Sequence, residues 1–145
     1  MTLTFRNVDA TPSDPVRTWP FEALVTALER GLVADWQPIF AEIKARPWGS
    51  VARSVESYLS YAESMGIVPL MTLAIERARE SAERDERGEV ASRVRGAIAR
   101  SGRTAAEFAC EAGTSPSRLS TYASGKVTPS AALLLRIERV ADLAQ

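Results

Sequence analysis

Few side chains in this sequence could do acid–base or nucleophilic chemistry. There is no histidine, the commonest general base and metal ligand, and the single cysteine, Cys110, cannot form a disulfide within the chain. We expect Cys110 to be a small buried or half-buried residue rather than a reactive thiol. The remaining candidates are carboxylates such as Glu80, Glu83 and Asp85, which lie in a highly charged segment where no pocket is expected. The sequence therefore argues against an enzyme and a zinc site, and predicts no cofactor.

A second set of polar side chains lies within a run of short helical patterns from Val90 onward. The first apolar face of this run ends around Ser101-Gly102. Thr104, followed three residues later by Glu107, has the spacing of a capping box at the start of a second helix. Three further local signals punctuate the run: Gly113 for a turn with positive φ, Ser115-Pro116 for the start of a third helix, and Thr128-Pro129 for the start of a fourth.

Two helices of about eight residues, joined by a turn that contains glycine, have the geometry of a helix-turn-helix when a small residue such as Ala109 lets them approach. The segment from Gly102 to Ser130 resembles the Cro-like and phage-repressor-like DNA-binding domains called Xre-type. The resemblance covers about residues 90–142. The strongest matches are cap, turn and core positions, followed by a leucine-rich last helix: Thr104, Glu107, Ala109, Ala112-Gly113, Ser115, Leu119-Ser120, Gly125-Lys126 and Pro129.

The resemblance implies that the third helix, Ser115 to Ser124, lies in the major groove with its N-terminal side chains at base edges. Arg118 could then make a bidentate contact to guanine, whereas Ser117 and Thr121 could bond a base or a phosphate. Lys126 is placed for a backbone phosphate, as are the amides at the start of the second helix. The DNA-binding residues that we predict are Thr104, Ser115, Pro116, Ser117, Arg118, Ser120, Thr121 and Lys126.

The sequence departs from the resembled family at two positions, Ala105 and Pro116. Many relatives carry glutamine where this chain has Ala105, and Pro116 replaces a side chain that often reads a base. Both differences suggest modest affinity per monomer, offset by dimerisation or by other contacts. A simpler explanation of the polar residues stays open, in which Arg118 is a solvated surface residue and the hydroxyl groups only satisfy helix ends and solvent.

The rest of the chain predicts an all-α fold, with a small N-terminal helical unit before a lambda-repressor-like helix-turn-helix domain. We expect an extended arm over 1–19, a helical domain with a charged connector over 20–87, and the DNA-binding domain over 88–145, with the boundary at Gly88. The predicted start and end signals of the N-terminal helices are a left-handed Gly31, an N-cap at Asp35, an end at Pro47, an N-cap at Ser50 or Ser54, and Pro69 in a first turn.

The N-terminal region is the more acidic part and contains every tryptophan. It has 10 basic and 13 acidic residues up to Arg87, against 8 and 5 from Gly88 onward, so the two parts carry formal charges of −3 and +3. The positive part coincides with the resembled DNA-binding domain, as phosphate contacts require. We predict that Trp19, Trp36 and Trp48 belong to the N-terminal core, with an exposed partner or ligand surface as the alternative.

These observations predict a sequence-specific transcriptional regulator, a repressor that binds double-stranded DNA as a homodimer over two half-sites about one helical turn apart. The alternative is an antitoxin, whose N-terminal helices would bind a toxin partner while the helix-turn-helix represses its own operon. No apolar run reaches the roughly 18 to 20 residues of a membrane span, and no signal sequence is evident at the N-terminus, so we expect a cytoplasmic protein.

Overall fold

The computed structural model describes residues 3–6 and 8–143. Over these residues the chain is helical, with no β-strand, so the predicted all-α class is confirmed. No helix among them combines the length and the apolar character needed to cross a membrane. In chain order the elements are a 3₁₀ turn Val16–Thr18 and the helices α1 Phe21–Arg30, α2 Val33–Ala45, α3 Ser50–Leu59, α4 Ile67–Ser101, α5 Ala105–Ala112, α6 Pro116–Ala123 and α7 Ala131–Leu143.

The chain forms two compact units, Met1–Ala82 and Glu83–Gln145, and each has its own buried core. The boundary between the units lies inside α4, and Gly88 is a helical residue of α4 rather than a break. The charged connector predicted before Gly88 is thus part of one helix that continues past Gly88. One glycine costs about 1 kcal/mol relative to alanine in a helix, which the good helix formers around Gly88 outweigh.

The first unit packs α1, α2, α3 and the start of α4 around apolar side chains that are almost fully buried. The largest of these are Ile39 and Ile43 of α2, Val55 of α3 and Met71 of α4. The segment predicted as an extended arm contains the 3₁₀ turn, and its residues Leu3, Phe5, Val8, Val16 and Trp19 pack against this same core. The N-terminal segment is thus part of the first unit's packing.

The helix ends of the first unit differ from those predicted. Gly31 has φ −75° rather than a left-handed conformation, and a Cβ there would lie 2.4 Å from the Ala27 carbonyl oxygen. Glycine is therefore required here because the Ala27 carbonyl leaves no room for a Cβ, and not because the residue has a left-handed conformation. Asp35 lies inside α2 and accepts the Leu32 N–H at 2.7 Å, instead of preceding the helix. α3 begins at Ser50 itself, so neither predicted serine caps it.

Two of the predicted stop and start signals in this unit are confirmed. Pro47 follows the end of α2 at Ala45, and Pro69 lies in the first turn of α4.

The three tryptophans of this unit differ in burial. Trp19 is buried, with its Nε1 donating to the Asp14 carbonyl at 2.9 Å, and Trp36 is half-buried, whereas Trp48 is 45% exposed. The core prediction is wrong for Trp48, whose ring instead lies 6.0 Å from the Arg79 guanidinium, in range of a cation–π contact.

The second unit packs α5, α6, α7 and the end of α4 around Phe108, which is fully buried. Leu119 is buried beside it and Tyr122 is half-buried against the same core. Cys110 is exposed, contrary to expectation, because Phe108, Ala109 and Ala112 fill the inner face of α5 and leave Cys110 on its outer face. The last helix starts after Ser130, whose hydroxyl accepts the Leu133 N–H, and not at Thr128-Pro129.

Candidate nucleic-acid interface

The turn between α5 and α6 is a tight one of three residues, 113–115. Gly113 ends α5 in the left-handed conformation with φ +78°, which glycine adopts without the steric cost that a Cβ brings. The Thr114 N–H then donates to the Ala109 carbonyl at 2.9 Å and closes the end of the helix. This confirms the predicted role of Gly113, and it fixes the direction in which the chain enters α6.

Side-chain caps fix the starts of both helices. Thr104 Oγ1 accepts the Glu107 N–H at 3.2 Å, while a Glu107 carboxylate oxygen accepts the Thr104 N–H at 3.0 Å. Ser115 Oγ accepts the Arg118 N–H at 3.2 Å, and Pro116 occupies the first position of α6. The predicted capping box and the predicted serine cap are both confirmed. These bonds satisfy amides that a helix leaves unpaired at its N-terminus.

Small residues bring α5 and α6 together. Ala109 and Ala112 are fully buried on α5, and Leu119 of α6 is buried with them. Because Leu119 faces the core, the residues on either side of it in α6 face solvent. The predicted site residues are accordingly accessible: Thr104, Pro116, Ser117, Arg118, Ser120 and Lys126 are exposed, while Ser115 and Thr121 are partly exposed.

The hydroxyl groups on α6 are not equally available to an outside molecule. Thr121 Oγ1 donates to the Arg118 carbonyl at 2.7 Å, and Ser115 Oγ caps the helix and lies 3.2 Å from Ser117 Oγ. Within the described part of the chain, the side chains of Arg118 and Ser120 make no hydrogen bond or ion pair. The structure thus places Ser115 and Thr121 mainly in support of the helix, and leaves Arg118 and Ser120 as the side chains most able to contact a ligand.

Ion pairs occupy other charged groups of the second unit. Arg93 pairs with Glu138 at 2.6 Å, and Arg103 pairs with Glu111. The Thr104 N–H and then the Thr104 hydroxyl stabilise the Glu107 carboxylate and lower its pKa. The Lys126 ammonium, like the Arg118 guanidinium, makes no ion pair among the described residues. The charged side chains of α6 and of the residues just after it, Arg118 and Lys126, are thus both positive.

Sequence reasoning missed Arg95, a residue of α4 that positions the end of α6. Its Nη1 donates to the Ala123 carbonyl at 2.6 Å, where the helix leaves carbonyl groups without intrahelical partners. Just beyond, the positive-φ residue Gly125 packs against α4, where an added Cβ would lie 3.4 Å from Ala91. Arg95 and Ala123 are 28 residues apart in the sequence, so no local sequence pattern predicts their contact.

Comparison with known proteins adds no family assignment. No protein-family model matches the chain, and no curated protein or solved structure matches it significantly. The functional argument therefore rests on the geometry of α5, the turn and α6, and on the side chains that this geometry exposes.

Proposed function

We propose that this protein is a sequence-specific DNA-binding transcriptional regulator, with α5 and α6 as its helix-turn-helix and α6 as the helix that reads the major groove. One observation carries the proposal: two helices of eight residues, joined through the left-handed Gly113, leave the outer face of α6 exposed around Arg118. The major groove of B-DNA is wide enough, at about 12 Å, to admit such a helix.

In this proposal Arg118 supplies base recognition. Its planar guanidinium can donate two hydrogen bonds to the O6 and N7 of one guanine, a contact worth about 1–3 kcal/mol of discrimination. Arg118 is the third residue of α6, near the helix N-terminus that a helix-turn-helix points at the bases. Ser120 and Ser117, both exposed, supply short hydroxyl donors or acceptors nearby.

Phosphate contacts would come from Lys126 and from the N-terminus of α5. Lys126 follows α6 closely and is exposed. At the start of α5 the Thr104 N–H is already bonded to Glu107, so a phosphate would use the amides of Ala105 and Ala106. The carboxylate of Glu107 weakens this second contact through charge repulsion, which makes Lys126 the stronger of the two.

We propose further that the regulator is a repressor and acts as a dimer on two half-sites about one helical turn apart. The support for a dimer is the small number of candidate base contacts on each α6: Pro116 offers no donor, and Thr121 is bonded to its own helix. A single copy would then bind weakly, and two linked half-sites raise the affinity without any new contact.

The direct experiment is selection of bound sequences from a random pool of double-stranded DNA with the full chain. The proposal expects enrichment of a short motif, repeated with two-fold symmetry if a dimer binds. Recovery of sequences without any enriched motif, from repeated rounds at low salt, would overturn the proposal of sequence-specific binding.

Lys126→Ala provides a second arm of this experiment. Removing one phosphate contact should lower affinity by a similar factor on all duplexes and reduce the slope of log K against log salt by about one. Lys44→Ala, which removes an exposed lysine of the first unit, is the matched control and should leave the slope unchanged. An unchanged slope for Lys126→Ala would remove this residue from the proposed phosphate contacts.

A second candidate function is that of an antitoxin, and the surface of the first unit favours it. Leu32 and Val33 are each 62% exposed, and Leu70 and Leu73 are exposed on α4. Exposed apolar side chains of this size suit a protein partner. Co-expression with a toxic product of an adjoining gene tests it: the antitoxin hypothesis expects growth to be rescued by the wild type and lost with Leu32→Asp, while a free-standing repressor rescues nothing.

A further inference from the structure

The first unit contains an open cavity of about 710 Å³ that the DNA-binding proposal does not use. Its walls come from α1, α2, α3 and the segment that leads into α4. Cavities of roughly 300–1,000 Å³ are typical of small-molecule sites. The lining combines three aromatic side chains, two carboxylates and one exposed thioether: Trp36, Tyr58, Tyr61, Glu29, Glu63 and Met65.

The three aromatic side chains are held in definite positions. Tyr58 and Tyr61 pack edge to face, with ring centroids 5.6 Å apart and an interplanar angle of 87°. The Trp36 Nε1 donates to the Ala27 carbonyl at 2.8 Å, which fixes the orientation of the indole. Tyr58 is buried at 6% exposure, whereas Tyr61 is 63% exposed. The cavity thus has aromatic groups both at its base and at its rim.

The charges of the lining all have one sign. Glu29 and Glu63 face the cavity, and no lysine or arginine is among the described residues that line it. The Tyr58 phenolic oxygen lies 3.5 Å from Glu29 Oε1. Burial, followed by the charge of Glu29, raises the pKa of Tyr58, so the phenol stays protonated and the negative charge of the lining comes from the carboxylates.

We propose that this cavity binds a small organic cation whose charge is surrounded by apolar groups, such as an alkylated ammonium ion. The faces of aromatic rings carry negative potential and attract such cations, and groups of aromatic side chains recognise quaternary ammonium ligands in this way. The two carboxylates add charge complementarity, while Met65 and the aliphatic walls contact the alkyl groups. Anionic ligands are repelled by the same lining.

The test compares two ligands of matched shape by titration calorimetry with the full chain. Choline carries the positive charge, and 3,3-dimethylbutan-1-ol replaces its nitrogen by carbon and is neutral. The proposal expects choline to bind more tightly than the neutral compound, by about 2- to 30-fold on the range of measured cation–π energies. Equal affinities, or no detectable binding of choline, would overturn it.

Variants of the exposed rim locate the site and separate it from binding elsewhere. Tyr61→Ala and Glu63→Gln should each weaken choline binding, the latter by about 2- to 5-fold, as expected for a single exposed charge pair. Tyr61→Phe keeps the ring and should retain binding. Glu22→Gln, which removes an exposed carboxylate outside the cavity, should have no effect. If Glu22→Gln weakened binding as much as Glu63→Gln, the effect would be one of overall charge and the proposed site would be refuted.

This proposal is independent of the DNA-binding proposal, because every residue in it belongs to the first unit. Choline binding without DNA selection would leave the cavity proposal intact, and DNA selection without choline binding would overturn the cavity proposal alone.

Discussion

The two units of this protein begin their helices in different ways. In the second unit, Thr104 and Ser115 cap α5 and α6 through side-chain oxygens. In the first unit, Pro20, Leu32 and Gly49 precede α1, α2 and α3, and none of them makes a side-chain cap. The residue before each of these helices therefore caps it in the second unit and not in the first, where α2 instead has the bond from the Leu32 N–H to Asp35 inside the helix.

The surfaces of the two units also differ, in their exposed apolar residues and in their charge. Large exposed apolar residues are more numerous in the first unit, while α6 of the second presents an arginine and small hydroxyl residues. The second unit has ten basic and eight acidic residues, and the first has eight and ten. A surface with excess positive charge suits a polyanion, and an acidic surface with apolar groups suits ligands or proteins.

The largest expected effect tests whether the two cores are separate. Phe108→Ala removes the largest buried side chain of the second unit and should destabilise it by about 3–5 kcal/mol. All three tryptophans lie in the first unit, so their fluorescence reports its unfolding, while far-ultraviolet circular dichroism reports both units. When Phe108→Ala is unfolded in urea, we expect circular dichroism to show two separate transitions. The fluorescence transition should keep nearly the wild-type midpoint.

Ile39→Ala is the matched change in the first unit, where it should lower the fluorescence transition. Equal shifts of both signals in Phe108→Ala would show that the chain unfolds as one cooperative body, and the contrast between two separate cores would be wrong.

A smaller effect tests the contrast between the helix starts. Thr104→Ala removes the side-chain half of the capping box and should cost about 1 kcal/mol of stability in the second unit. Ser50→Ala changes an exposed serine at the start of α3 that caps nothing, so its effect should be within about 0.5 kcal/mol of zero. Urea unfolding followed by circular dichroism measures both. If Thr104→Ala and Ser50→Ala lost equal stability, the proposed difference between the helix starts of the two units would be wrong.

The smallest effect is the dependence of this cap on pH. The pKa of Glu107 is lowered in the folded protein, first by the Thr104 N–H and then by the Thr104 hydroxyl. A lowered folded pKa means that the stabilisation is present above the unfolded value near 4.5 and is lost as pH falls through the folded value. Glu107→Gln should therefore flatten the loss of stability of the second unit below about pH 4.5.

Glu89→Gln, which changes an exposed carboxylate of α4, serves as the control and should keep the wild-type dependence on pH. A Glu107→Gln variant that loses stability on acidification as steeply as the wild type would show that the cap carries no charge-dependent stability.

Sequence alone predicted the ends of α5 and the start of α6 because the signals there are local. The capping box at Thr104, the left-handed Gly113 and the Ser115-Pro116 start each act within a few residues along the chain. The exposed position of Arg118 followed from the same pattern, because a helix whose inner face is set by Leu119 must turn its neighbours outward.

The remaining features depend on contacts that are distant in sequence. Gly31 is required by its approach to Ala27, and Arg95 bonds Ala123 from another helix. The outward orientation of Cys110 depends on its position opposite the buried face of α5, which the usual burial of cysteine does not predict. The aromatic cavity of the first unit was not predicted, since its residues come from several elements and no local pattern brings them together.

The most direct test of the DNA-binding proposal is the affinity of Arg118→Ala for the selected duplex and for a scrambled duplex, measured by fluorescence anisotropy at one salt concentration. Arg53→Ala, which removes an exposed arginine of the first unit, is the control.

We expect Arg118→Ala to lose about 1–3 kcal/mol on the selected duplex, much less on the scrambled one, and to relax the preference at one base pair, while Arg53→Ala changes neither affinity. An equal loss on both duplexes would contradict base reading by α6.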